Sequence, residues 1–375
     1  MKFFKQSLLV CLILFLQAAD SYNAFAFTLI QQPEKNVKIG LLVPDNKSIA
    51  AIQGAELAIK EANRKGGING SPVKLVVRSM EGPWGTGAKQ AVNLIFEEKV
   101  WALFGSHDGR NAHLVEQAAT KATVVFLSAW SGDPTLSQAF VPWFYNCVPN
   151  DFQQAETLVE EIYYKRKLTR VVTVSDDEYD SNLALVNFIR KTELEGINEP
   201  IKFIYENYYQ NITGLLNDID KHDADCIILF CKPSSSFKIF HQIRLRGITR
   251  PVYGSLNLMN ENELSEQELQ EYNNALIIPS PVWSVPKSIS FREKYKEMFG
   301  ITPGMVAAYA FDGMNVLIEA IKIAGSRERE KIQKALSGIN YEGVTGSIQF
   351  DNKGNRLSLF QTVIVNNSFP ASTSR

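Results

Sequence analysis

The chain has 375 residues, 45% hydrophobic and 21% charged, with a formal net charge of -1. That length exceeds one ordinary core and favours two units of about 150 residues each, and the composition is that of a folded globular protein rather than a disordered one. A balance so close to zero, with no basic run, gives no electrostatic footprint for nucleic acid or an anionic membrane surface, so neither partner is expected.

Lys2 and Lys5 precede an apolar run at 8–16, and small residues follow at Ala24 and Ala26, the order of a secretory signal. The run is about half of the ~20 residues that span a bilayer, so export with cleavage near Ala26 is expected, and residues 1–26 are assigned as a signal peptide. Cys11 lies inside the run behind the bulky Val10, which disfavours a lipid-modified cysteine. The remaining Cys147, Cys226 and Cys231 form no CxxC and have no histidine at ligand spacing, so no metal site is expected. Cys226 and Cys231 lie five apart in a predicted strand, about 16 Å at a strand's rise, too far for a disulfide. Three buried thiols are the simplest expectation, with Cys147 the one residue able to form a bridge.

From residue 37 onward, β-branched runs at 37–43, 73–78, 101–104 and 124–127 alternate with helical patterns at 49–64, 89–98 and 111–121. In the first helix Ile52, Ala55, Ala58, Ile59 and Ala62 form a stripe opposite Glu56, Lys60 and Glu61. Lys65-Gly66-Gly67 ends that helix and Asn69-Gly70 turns the chain into the next strand. The alternation restarts after Asn150, with helices at 153–164, 181–191, 215–221 and 236–246 and strands at 170–175, 201–205 and 226–230. Residues 144–149 are predicted to cross from one series to the other, and the proline-containing 275–285 to cross back. Helices at 292–299, 305–324 and 329–337 and strands at 348–350 and 359–365 complete the chain. Repeated β-α-β units imply two α/β lobes with parallel, doubly wound sheets, because a parallel crossover needs a dozen or more residues. The expected division is 37–149 plus 281–339 for the first lobe and 150–280 plus 340–367 for the second.

Three separated stretches carry a resemblance: Lys38-Ile39-Gly40-Leu41-Leu42-Val43-Pro44, the helix through Gly54 that ends at Asn69-Gly70, and the run from Tyr341 to Asn355. In that order they resemble the leucine-binding protein family, periplasmic-type receptors of amino-acid and amide ABC transporters. The resemblance implies the type I periplasmic binding fold, two lobes joined by a three-crossing hinge, with a small polar, amino-acid-like, amide or aromatic ligand held in the cleft. It also implies a periplasmic (extracytoplasmic) monomer that docks on a membrane permease and needs no cofactor. A sensing subunit that presents its solute to a membrane signalling receptor is the alternative role.

In open parallel sheets ligands sit beyond the carboxyl ends of strands, so the strand-to-helix loops are the ones to examine. After the third strand the loop contains Asp108, Gly109 and Arg110, and Gly109 falls where the family has a serine that holds ligand. The next loop contains Ser128, Trp130, Ser131 and Gly132, and Gly132 falls at the family's threonine. In the second lobe Tyr179, beside Asp180, matches a ligand-contacting tyrosine. Ser255 and Leu256 lie where relatives place the acid that receives an ammonium, which leucine cannot do. Two hydroxyls and a carboxylate are thus replaced, so a leucine-type ligand would leave buried charges without partners, at several kcal/mol. Asp108, Arg110, Ser131, Asp180 and Lys232 are the candidate substitutes, and Trp84, Trp130 and Trp283 the candidate cleft aromatics.

Nothing in the chain reads as catalytic. His107, His113, His222 and His241 form no triad or metal pattern, Ser106 and Ser128 lack the G-x-S-x-G setting, and Gly85-Thr86-Gly87-Ala88-Lys89 lacks P-loop spacing.

Overall fold

A computed structural model describes residues 36–105, 107–138, 141–205, 212–366 and 369–370. The predicted signal peptide, residues 1–26, lies outside them. Five parallel strands, β1 (Val37–Val43), β2 (Val73–Ser79), β3 (Ala102–Gly105), β4 (Phe126–Ser128) and β5 (Phe144–Asn146), form one sheet in the order β2-β1-β3-β4-β5. Between them run α1 (Ile49–Arg64), α2 (Thr86–Phe96) and α3 (Gly109–Lys121). The chain then enters a second unit through α4 (Asp151–Val159), which a π-turn at Glu160–Lys165 extends. There β6 (Val171–Ser175), β7 (Ile201–Ile204), β8 (Cys226–Leu229), β9 (Val252–Gly254) and β10 (Leu276–Pro281) alternate with α5 (Tyr179–Leu194), α6 (Ile212–Lys221), α7 (Pro233–Leu245) and the short α8 (Glu266–Glu271).

Helices α9 (Val285–Phe299), α10 (Met305–Ala324) and α11 (Arg329–Ser337) follow, then a small antiparallel sheet of β11 (Tyr341–Gly343), β12 (Gly346–Phe350) and β13 (Arg356–Leu357). The last strands, β14 (Phe360–Asn366) and β15 (Phe369–Pro370), return to the second unit, whose order is β15-β14-β10-β9-β8-β6-β7. Both large sheets are covered on both faces, and every residue of β3, β6 and β8 is buried. The two sheets and their helices are the two doubly wound lobes of a type I periplasmic binding fold.

A buried cation, a buried carboxylate and one backbone bond tie the three crossings together. Arg356, fully buried, donates from Nη1 to the Cys147 carbonyl at 2.8 Å and from Nη2 to the carbonyls of Thr345 at 2.8 Å and Ser347 at 2.9 Å. Asp312 of α10, also buried, accepts from the amides of Val344 at 2.9 Å and Thr345 at 2.7 Å, while Ser284 N donates to the Val344 carbonyl at 3.0 Å. Residues after β5, after β10 and after α11 therefore meet in one hydrogen-bonded knot. Cys147 sits inside it, and all three cysteines of the described region are buried and unbridged; burial pushes the thiols of Cys147 and Cys226 up to about 12.

Among the elements that differ from expectation, two have a clear local cause. The predicted crossing at 275–285 is largely β10: its ladder to β9 covers only Leu276 and Ile277, so Pro279 and Pro281 lie where that side has no strand partner. The helix expected from residue 153 begins at Asp151, because Asn150 and Gln153 form a reciprocal capping box, each accepting from the other's backbone amide at 2.9–3.0 Å.

Helix α10 lies across α1 at Gly54, where a Cβ would overlap the Ala307 carbonyl oxygen. Gly54→Ala gains about 1 kcal/mol of helix propensity but forces two backbones apart, an overpacking cost of about 1–3 kcal/mol. A net loss of stability is expected in urea denaturation; a variant more stable than the wild type would show that the helices can separate freely.

Candidate ligand site between the lobes

The loop after β3 is built around a helix start. Asp108 caps α3, accepting from Asn111 N at 2.9 Å and from Asn111 Nδ2 at 2.7 Å, so both of its oxygens are committed within the loop. The next amide, Gly109 N, is bonded from the other lobe: Asp180, in the first turn of α5, accepts from it at 3.0 Å through Oδ1 and 3.3 Å through Oδ2. Gly109 is required there, since a Cβ would stand 2.9 Å from Asp180 Oδ1 and 2.8 Å from Asp133 Cβ. Beside this contact Tyr179 donates its hydroxyl to Asp133 Oδ2 at 2.9 Å, and the exposed Arg110 lays its guanidinium 5.4 Å over the Tyr179 ring. Asp133 also accepts from Thr135 N at 2.8 Å and meets His113 Nε2 at 3.0 Å.

Behind these contacts lies a narrow crevice with a cavity volume of about 20 Å³, room for about one water molecule in this closed form. The first lobe and hinge contribute Trp130, Gly132 and Val148, the start of α4 contributes Asp151 and Gln154, and the second lobe closes it with Asp180, Ala184, Phe230, Leu256 and Asn257, among others. Trp130 donates from Nε1 to Asn257 Oδ1 at 3.1 Å, a further bond across the cleft. Leu256 donates its amide to Gln154 Oε1 at 2.8 Å.

Of the residues singled out from sequence, Trp130, Gly132, Asp180, Ser255 and Leu256 line the crevice. Asp108, Gly109, Arg110 and Tyr179 form the adjoining contact between lobes. Ser128 and Ser131 are buried supports instead: Ser128 Oγ accepts from Ser131 N, and Ser131 Oγ from Asp133 N, both at 3.3 Å. Trp283 stands in the second crossing with its ring edge-on to Tyr309 at 5.9 Å, Trp84 is 73% exposed, and Lys232 Nζ meets Glu178 at 3.4 Å; none lines the crevice. Sequence reasoning missed Asp151 and Gln154, although the Asn150–Gln153 capping box that starts their helix is legible.

The cleft is acidic. Burial, then the neighbouring Asp180 and Asp133, push the Asp151 carboxyl well above the usual carboxylate range. Burial and Asp108 raise Asp180 to about 7. For Asp133 burial is outweighed by hydrogen bonds from His113, Thr135 and Tyr179, which hold it below its ordinary value, and the same bond raises His113. A second interlobe carboxylate behaves like Asp180: Glu261 accepts from Val306 N at 2.9 Å and Ala307 N at 2.8 Å at the start of α10, and burial lifts it to about 7.

Asp180 and Glu261, the two carboxyls that latch one lobe to the other, hold protons more tightly in the closed structure than when exposed. Their contribution is full below the ordinary carboxylate pKa and is lost as the pH rises through about 7; that of Asp133 is lost only on strong acidification. The thermal midpoint without added ligand is expected to be a few degrees higher near pH 5.5 than near pH 8, with Asp180→Asn shrinking the difference. A midpoint that rises over that interval would contradict this.

A family model described as periplasmic binding protein matches residues 36–362. Leu/Ile/Val-binding protein homolog 7 of Brucella abortus (strain 2308) is 22% identical over 333 residues, covering 82% of this chain and 82% of its own. Glutamate receptor 3.4 of Arabidopsis thaliana is 21% identical over 390 residues, covering 92% of this chain but 40% of the receptor, so this chain spans less than half of that relative. The branched-chain amino acid transporter substrate binding protein LivJ of Streptococcus pneumoniae, solved in complex with isoleucine, superimposes with a TM-score of 0.77 at 21% identity, covering 90% of this chain and 98% of that one. With both lobes, the hinge and nearly all of the described residues inside the family match, this chain belongs to the periplasmic binding protein family.

Proposed function

We propose that the protein is an exported solute-binding receptor that captures a small molecule between its lobes and delivers it to the membrane permease of an ABC transporter. The observation that carries this is the crevice walled from both lobes, so that a ligand there gains contacts only when the lobes are together. A ligand there adds its own contacts to those that already hold the lobes together, and so stabilises the closed form further. The Brucella and Streptococcus relatives bear names of the same kind, and the apolar run at residues 8–16 supports export to an extracytoplasmic compartment. One chain supplies both jaws, so a monomer suffices for this reading. No enzymatic step is proposed: the residues that line the crevice include no histidine, and the nearby His113 is engaged with Asp133 and Thr135.

The alignment with part of a plant receptor favours one second reading, in which the same two lobes present a solute to a signalling protein rather than to a permease.

A thermal-shift screen of residues 27–375 against amino acids, amides, amines and aromatic acids tests the shared core of both readings. At a hundredfold over its dissociation constant a true ligand adds about 2.7 kcal/mol and raises the midpoint by a few degrees. Trp130→Ala is expected to abolish that shift. A panel in which no class of solute moves the midpoint would overturn the receptor reading.

A further inference from the structure

The amino terminus of α3 is the natural seat for a ligand carboxylate, because its first amides are unbonded within the helix and the helix dipole is positive there. In this chain the seat is filled by the protein itself. Asp180 places both carboxylate oxygens on Gly109 N, and Asp108 holds Asn111 N, so an acidic ligand would have to displace one of them. The opposite holds deeper in the crevice. Asp151 lines it, is only 7% exposed, and accepts at Oδ1 from Gln154 Nε2 at 3.2 Å. Among the described residues nothing donates to its Oδ2, and no cation pairs with it.

The surrounding charges sharpen the contrast. Asp133 and Asp180 both bear on Asp151, His113 and Arg110 are engaged with Asp133 and Tyr179, and Arg110 is exposed. A buried carboxylate short of a partner is costly, and its natural complement is a cation brought by the ligand. Val148, Ala184, Phe230 and Leu256 supply apolar wall and Trp130 lines the same crevice, which widens to take an ammonium on a short hydrocarbon body only when the lobes part.

Resting on the receptor reading above, we propose that the crevice binds a small organic ammonium that lacks a carboxylate, with its charge on Asp151 and its apolar body against Phe230 and Leu256. Asp180 serves as the chain's own occupant of the α3 amino terminus.

Three compounds of one carbon skeleton test this by calorimetry on the mature wild-type protein: isopentylamine, the uncharged isopentanol, and leucine, which adds the carboxylate. The amine is expected to bind at least tenfold tighter than either of the others. Asp151→Asn is expected to weaken the amine at least tenfold and to leave the alcohol unchanged. Equal binding of amine and alcohol in the wild type would overturn the assignment without recourse to any variant. Leucine binding tighter than the amine would overturn it too, while leaving the receptor reading intact. If none of the three binds, the inference falls; a solute of another class that still shifts the midpoint in the broader screen would then preserve the receptor reading alone.

Discussion

The closed arrangement of this protein depends on side chains of one lobe seated on helix amino termini of the other. Asp180 sits on Gly109 N at the start of α3, Glu261 on Val306 N and Ala307 N at the start of α10, and Asn262 accepts from Ala50 N at the start of α1 at 3.1 Å. Each of these amides has no partner inside its own helix, and each helix presents the positive end of its dipole. The second lobe therefore completes the first. Separating the lobes would expose three helix starts and free two carboxylates whose protonation is tuned by their burial, so the geometry of the cleft and its proton affinity are one property.

The hinge makes that arrangement possible. Arg356 draws the residues after β5 and the β11–β13 sheet together, and Asp312 binds that sheet to α10, which itself carries the amides that Glu261 caps. Motion between lobes has to be taken up around this knot, because within it the buried donors and acceptors are already satisfied by one another. The crevice lies directly beside the knot: Val148 follows Cys147, and Asp151 opens the helix that leaves the first crossing.

Much of the fold was legible in the sequence because it is periodic. Buried strands such as β6 and β8 announce themselves as short β-branched runs, and α1 shows both its stripe and its glycine stop. The prolines at 275–285 suggest a break in the chain's regular structure, whereas Pro279 and Pro281 are tolerated in β10 beyond the end of its ladder to β9. The site was half legible. Loops after β3 and β4 could be placed because fold and resemblance agree on where ligands lie, and Tyr179, Asp180 and Trp130 come together there. Asp151 and Gln154 escaped because they belong to a helix start at the hinge rather than to a strand-to-helix loop. Nor could a linear reading foresee that Asp180, 71 residues from Gly109, would accept from its amide.

The central claim is that the chain's own carboxylates hold the cleft shut. Distance measurement by pulsed electron resonance, with spin labels at the exposed positions Val92 of α2 and Val186 of α5, addresses it directly. For the protein without added ligand near pH 6, the account predicts a single short distance, lengthened when Asp180→Asn and Glu261→Gln are combined. A broad or long distance in the wild type, indifferent to both substitutions, would show that the latches do not govern closure.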